Sequence, residues 1–195
     1  MRQYPNRLQP GFSLMEILVA VAIITVILGM ALLNYGSILP NFKANSAMDQ
    51  LLYQLRSARE RAISHRREVQ VEFVGTNQLT ITEIWLVGTA PPATTVSFEG
   101  GAQYMVFGSP TAIPDLPAPF NFGNTAPVYF GGLSGGPPIM KFSTTGALID
   151  GGNTILNGTV FMGIPGRPST ARAISILGAT GRVREYHWDG SQWQE

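Results

Sequence analysis

The chain opens with eleven mostly polar residues. It then runs without charge from Ile17 to Leu33, where Thr25 is the only hydroxyl-bearing residue. With Leu14 and Met15 the apolar stretch reaches roughly 20 residues, which at ~1.5 Å each is enough to cross a hydrocarbon core of ~30 Å. Past Pro40 the pattern changes to an amphipathic one. Met48, Leu51, Leu52, Leu55, Ala58 and Ala62 recur at helical spacing, with Asp49, Gln50, Gln54, Ser57 and Arg61 between them. Asn45 or Ser46 is the expected N-cap of this second helical segment.

From residue 69 the period shortens to two. Val69, Val71 and Phe73 alternate with Gln70 and Glu72, and Leu79 and Ile81 with Thr80 and Thr82, around a Gly75-Thr76-Asn77 turn. A phase change to Ile84 and Leu86 predicts a bulge. Later strands are expected at 139–143, 147–149, 154–156 and 159–162, with Asn157-Gly158 as a hairpin turn. A last pair, 173–177 and 182–188, is expected around Gly178-Ala179-Thr180-Gly181. Between the two strand groups, residues 108–138 contain 13 Gly or Pro in 31 positions and one charge, Asp115. This reads as a long loop pinned by Phe120, Phe122, Tyr129 and Phe130, either a partner surface or a passive insertion. The fold class is α+β: a long N-terminal helix packed on a C-terminal antiparallel sheet.

Composition narrows the chemistry. With no cysteine, neither a disulfide nor a thiolate-bound metal holds the chain together. Charged residues make up 13%, and the net charge is +1. It falls to −1 once Arg2 and Arg7 are set aside, so no bulk attraction to nucleic acid is expected. His65 and His187 are far apart and lack ligand spacing. Gly132-Leu133-Ser134-Gly135-Gly136 fits the nucleophile-elbow pattern, but Pro137-Pro138 follows where a helix would have to start. Asn157-Gly158-Thr159 is a formal glycosylation sequon more simply read as a turn. No enzyme and no cofactor are expected.

The apolar stretch has three readings. A buried core helix is the plain alternative, disfavoured because the stretch is apolar on all sides and sits at the terminus. A secretory signal would be cut after the apolar run, whereas Ala20-Val21-Ala22 lies inside it. A membrane span preceded by two arginines fits best, with the start of the chain cytoplasmic. Glu16 then needs explaining, because an acid in a membrane helix costs roughly 2.5–3.5 kcal/mol on insertion scales unless it has a partner or a role. The basic helix end, Arg56, Arg59, Arg61, Arg66 and Arg67, is read as a solvated face with cations near a helix C-terminus.

"GFSLMEILVAVAII" resembles the cleavage and methylation signature of type IV pilins and pseudopilins, with Gly11, Phe12 and Glu16 in the signature places. The resemblance implies cutting between Gly11 and Phe12 by a prepilin peptidase and N-methylation of Phe12. It also implies that Glu16 pairs with the Phe12 amine of a neighbouring subunit during assembly. Where many major pilins have a kinking proline this chain has Leu33; Gly29, Gly36 and Pro40 are the places where its helix could loosen. "LLYQLRSARERAISHRREVQVEF" and "RAISILGATGRVREYHW" are similar to the GspH/FimT-type pseudopilins.

Together these imply a leader at 1–11, a transmembrane helix at 12–39, an amphipathic helix at 40–68 and a β-rich periplasmic head at 69–195. The implied function is that of a minor pseudopilin, a structural subunit of a type II secretion pseudopilus or a type IV pilus. It would be held in the bacterial inner membrane by a single pass and become filament-associated after assembly, with other pilins as partners. The alternative is a FimT-like pilin that binds DNA through its Gly-Arg-x-Arg element. Arg182, Arg184, Tyr186 and Trp188 would share one strand face there, offering charge for phosphates and rings for bases. The competing reading is a sheet strand with packed rings and arginines at the rim.

Overall fold

The computed structural model describes residues 12–85, 88–108, 112–131 and 139–195, without the side chains of 31–35 and 37. A single helix, α1 (Leu14–His65), is followed among the described residues by eleven strands. These are β1 (Val69–Val74), β2 (Gln78–Glu83), β3 (Thr94–Ser97), β4 (Gln103–Tyr104), β5 (Val128–Phe130), β6 (Ile139–Phe142), β7 (Leu148–Ile149), β8 (Gly158–Ile164), β9 (Arg167–Leu177), β10 (Arg182–Trp188) and β11 (Trp193–Gln194). The chain divides into two compact units, Met1–Leu39 and Pro40–Glu195.

In the second unit, two antiparallel sheets share one core with the helix. The first has the order β3-β2-β1-β6-β7, the second β11-β10-β9-β8-β4, with β5 also paired to β8. All six residues of the expected helical stripe are buried, as are Ala44 and Ala47. They meet Val69, Val71, Phe73, Leu79 and Ile81 from the first sheet and Val160, Met162, Ile174, Ile176 and Val183 from the second. Strands β1 and β2 keep the strict alternation that one buried face requires. Strand β8 is buried on both faces. Its inward residues join the helix core, while Phe161 on the outer face packs with Leu116, Ala173 and Tyr186. The Gly/Pro-rich stretch therefore serves as a lid on the second sheet, through Leu116, Phe120 and Ile113.

Several expectations are corrected. Asn45 and Ser46 lie inside α1 and cap nothing; the helix runs on past Gly29, Gly36 and Pro40. The Asn45 side chain instead accepts a hydrogen bond from Arg172 Nε at 2.7 Å. No bulge follows Glu83: β2 ends there, Ile84 N–H donates to Glu68 O at 2.8 Å, and Leu86 lies outside the described residues. Asn157-Gly158 is not a hairpin turn. Gly158 starts β8, and the reversal falls between Ile164 and Arg167, with Gly166 at φ +74°. Gly158 is small for another reason: the Phe130 ring lies where its Cβ would be. Asn157 Oδ1 accepts from Gly178 N–H at 2.8 Å, which explains the polar residue beside it. Residues 154–156 contribute only an isolated bridge, Ile149 to Ile155. The 108–138 stretch does contain regular structure, since β5 pairs with β8 and Phe130 packs against Phe73 at 6.0 Å between centroids.

Candidate functional site

The candidate assembly site begins at the first turn of α1. Gly11 lies outside the described residues; Phe12 is 80% exposed. Ser13 caps the helix. The Glu16 N–H donates to Ser13 Oγ at 3.2 Å and to Ser13 O at 3.1 Å, which satisfies one of the four amides a helix start leaves open. Ser13-x-x-Glu16 has the spacing of a capping box, and an acid in the first turn also meets the positive end of the helix dipole. Glu16 thus has a reason to sit here within its own chain. Ser13 is the site residue that sequence reasoning passed over; its signal was that four-residue spacing.

From Leu14 to Met30 apolar side chains point outward on every side of the helix, with Leu14, Ile17, Val21, Ile24 and Leu28 all more than half exposed. Thr25, the one hydroxyl, donates to Val21 O at 2.7 Å, so the helix satisfies its own polar group. Among the described residues no helix is long and apolar enough to cross a membrane. Beyond Met30, Ile38 and Leu39 are also exposed, and the side chains of 31–35 and 37 lie outside the described set. An apolar surface this continuous is not stable against water and has to be covered by lipid tails or by other helices.

The other candidate lies on β10, paired antiparallel to β9 in the expected register around the 178–181 turn. Alternation does place Arg182, Arg184, Tyr186 and Trp188 on one face, but that face is covered. Tyr186 is buried beside Phe120 at 6.3 Å, and Trp188 packs edge-on to Trp193 at 5.5 Å. Trp193 is held by its Nε1–H donating to Pro114 O at 2.9 Å. Arg184 donates from Nη1 to Glu195 Oε2 at 2.7 Å and lies 4.6 Å over the Phe120 ring. Of these four, Arg182 alone is exposed.

Gly181, which precedes Arg182, has φ +62°, and a Cβ there would overlap the Gly146 carbonyl. Across that turn Arg59 Nε donates to Gly146 O at 3.2 Å and to Thr180 O at 3.1 Å, tying α1 to both sheets. The Gly-Arg pair therefore has a packing explanation in this chain.

The remaining candidates are dispersed. His65 Nδ1 lies 3.1 Å from Glu83 Oε2, and Arg67 stacks 3.9 Å over Trp85. His187 is on the far end of β10. Among the described residues no group of three or more His, Asp or Glu is placed to hold a metal ion. Gly132–Gly136 lies outside the described residues. Arg172 is buried without a carboxylate; it is satisfied by Asn45 Oδ1, Ser169 O and Ala171 O, and burial lowers its pKa below the usual guanidinium value.

Residues 6–32 match the prokaryotic N-terminal methylation motif. No curated protein matches the chain. Among solved structures, the chain is similar to the type IV minor pilin FimU of Pseudomonas aeruginosa (strain PAO1) in two crystal forms, 18% identical in each. These comparisons cover 77% of this chain and 92% and 97% of that one, with TM-scores of 0.48 and 0.47. It is also similar to the minor pseudopilin EpsH from the Type 2 Secretion System of Vibrio cholerae, 12% identical, covering 74% of this chain and 97% of that one, with a TM-score of 0.45. The chain therefore carries a prokaryotic N-terminal methylation motif on an α+β fold, and in that motif it resembles the type IV pilins and pseudopilins.

Proposed function

We propose that this protein is a structural subunit of a membrane-anchored filament, of the minor pseudopilin kind found in type II secretion and type IV pilus machines. Its work is assembly, not catalysis. The observation that carries this reading is the methylation motif on a helix whose apolar side chains are uncovered on all sides. In this reading the helix first sits in the inner membrane, with the β-rich unit in the periplasm. Prepilin peptidase cuts between Gly11 and Phe12, and the new Phe12 amine is N-methylated. Glu16 then pairs with the amine of an adjacent subunit. A charge in low dielectric is penalised alone and tolerated when paired, so the pairing favours one register of neighbour over others. Contact with DNA through Arg182 and Arg184 is supported only by the exposure of Arg182 near Arg56 and Arg59, since Arg184 is paired and the rings are packed.

The test is mass spectrometry of the protein extracted from membranes. The expected species begins at an N-methylated Phe12, and a variant with Gly11 replaced by a bulky residue stays uncut. A native chain that begins at Met1, or beyond the apolar run, would overturn the proposal.

A further inference from the structure

A line of buried polar groups crosses the outer face of the second sheet. Val160 of β8, Ile174 and Ile176 of β9 and Val183 of β10 turn inward to the helix core, so their strand neighbours turn outward. Among these outward residues Thr159 is paired with Ser175, and Ser175 with Arg184. Tyr129 of β5 continues the row beyond Thr159. Thr159 is 0% exposed and Ser175 1%. Both hydroxyls and the Nε of Arg184 are buried and have no hydrogen-bond partner among the described residues.

Neighbouring strands lie ~4.8 Å apart, so Ser175, the middle member, is one strand spacing from each of the others. Burial without a partner is unfavourable, and buried polar groups in folded proteins are nearly always satisfied. A guanidinium Nε–H can only donate, and a hydroxyl can donate too, so what suits all three is an acceptor. The guanidinium fixes its charge. Glu195 takes Arg184 Nη1 at 2.7 Å, and Nε–H lies on the other edge of the planar group, an edge that matches a flat two-oxygen anion. The covering segment fixes its size. Residues 120–123 touch the row at both ends: the Phe120 ring lies 4.6 Å from Arg184 Cζ, and a Cβ on Gly123 would come 2.8 Å from the Tyr129 ring.

We propose that Thr159, Ser175 and Arg184 form a binding site for a carboxylate beneath the 120–123 segment. One carboxylate oxygen accepts from Arg184 Nε–H and the other from the Ser175 hydroxyl, while Thr159 donates to Ser175 Oγ. Each link in that chain polarises the next. The carboxylate is that of a small free acid or, where the segment lifts, that of an acidic side chain on a polypeptide. Nothing in the site depends on the filament reading above.

The full chain in detergent, labelled with 15N-arginine, is titrated with sodium formate and separately with N-acetyl-glutamate amide, against sodium chloride of equal ionic strength. The Arg184 Nε–H resonance, identified by its loss in Arg184→Lys, should shift and saturate with a carboxylate and stay in place in chloride. Response to formate alone supports the site with a small free acid as its ligand. Response to the glutamate compound, with or without formate, supports it with an acidic side chain that enters as the segment lifts. Ser175→Ala and Thr159→Val should weaken binding by about tenfold. In chloride both should raise the denaturant midpoint, since each removes a buried hydroxyl without a partner. In the carboxylate that binds, the wild-type midpoint should rise and those of the variants should not. No shift with either carboxylate, an equal shift in chloride, a stronger response to inorganic phosphate than to either carboxylate, or variants that bind as well as the wild type would overturn the proposal.

Discussion

At the scale of single residues, Gly181 and Arg59 act as one latch. Gly181 occupies a left-handed conformation that a side chain resists, and the space its Cβ would need is filled by the Gly146 carbonyl and the Arg59 guanidinium. Gly181→Ala should destabilise the head by about 2–3 kcal/mol, from strain and displacement together. Arg59→Ala should cost about 2 kcal/mol, because two carbonyls lose a charged donor, and lysine should not rescue it, since the planar Nε–H that reaches both is absent. Denaturant midpoints of the detergent-solubilised chain measure this; wild-type midpoints for both alanine variants would contradict the latch. The Gly181-Arg182 pair was legible in the sequence as a turn. The reason for it was not, because its neighbours Arg59 and Gly146 are 122 and 35 positions away.

At the scale of elements, the short hairpin of β10 and β11 depends on one carboxylate. Asp189 Oδ1 accepts from the Ser191 and Gln192 amides, each at 2.8 Å, and from Ser191 Oγ at 2.9 Å, while Oδ2 accepts from Gln194 Nε2 at 3.0 Å. The Gln192 and Ser191 amides, then the two side chains, hold its pKa well below the usual carboxylate range. A depressed folded value means that the unfolded chain takes up a proton first. The stabilisation is therefore complete above the ordinary carboxylate value of about 3.9 and declines as pH falls from there toward the folded value. The near-UV circular dichroism of the Trp188–Trp193 pair should hold steady at neutral pH and weaken over that acid range. Asp189→Ala should show the weakened signal already at neutral pH. An acid-insensitive signal, or an unchanged one in the variant, would show that the turn does not depend on this ionisation.

The larger elements were more legible than the small ones. The helical stripe from Met48 to Ala62 and the β9–β10 pair follow directly from period and turn chemistry. Strands β3, β4 and β5 have two to four residues each and are defined by their partners, so no local pattern could mark them.

At the scale of the whole molecule, an apolar N-terminal helix with one acid in its first turn precedes a head with its own core. Glu16 has a favourable place in the first turn of its own helix and, in the proposed assembly, a partner on another chain. The two roles separate experimentally. Glu16→Gln retains a side-chain oxygen at the capping-box position but lacks the charge, so membrane insertion should be unchanged while incorporation into sheared filaments falls. Membrane fractionation beside quantification in the sheared fraction reads both. Equal incorporation of the variant would mean that Glu16 serves only its own helix.

The two-part order of the chain, the buried face of the outer helix and the methylation motif are all legible from the amino-acid order alone. These rest on local periodicity and on covalent neighbours, which are the same in any fold. What the Gly/Pro-rich stretch does, why Gly158 and Gly181 are small, and that the rings beside Arg184 are packed rather than free emerge from the folded arrangement. Each of those depends on a side chain or carbonyl brought in from elsewhere in the chain, and the distance between residues far apart in sequence is set by packing.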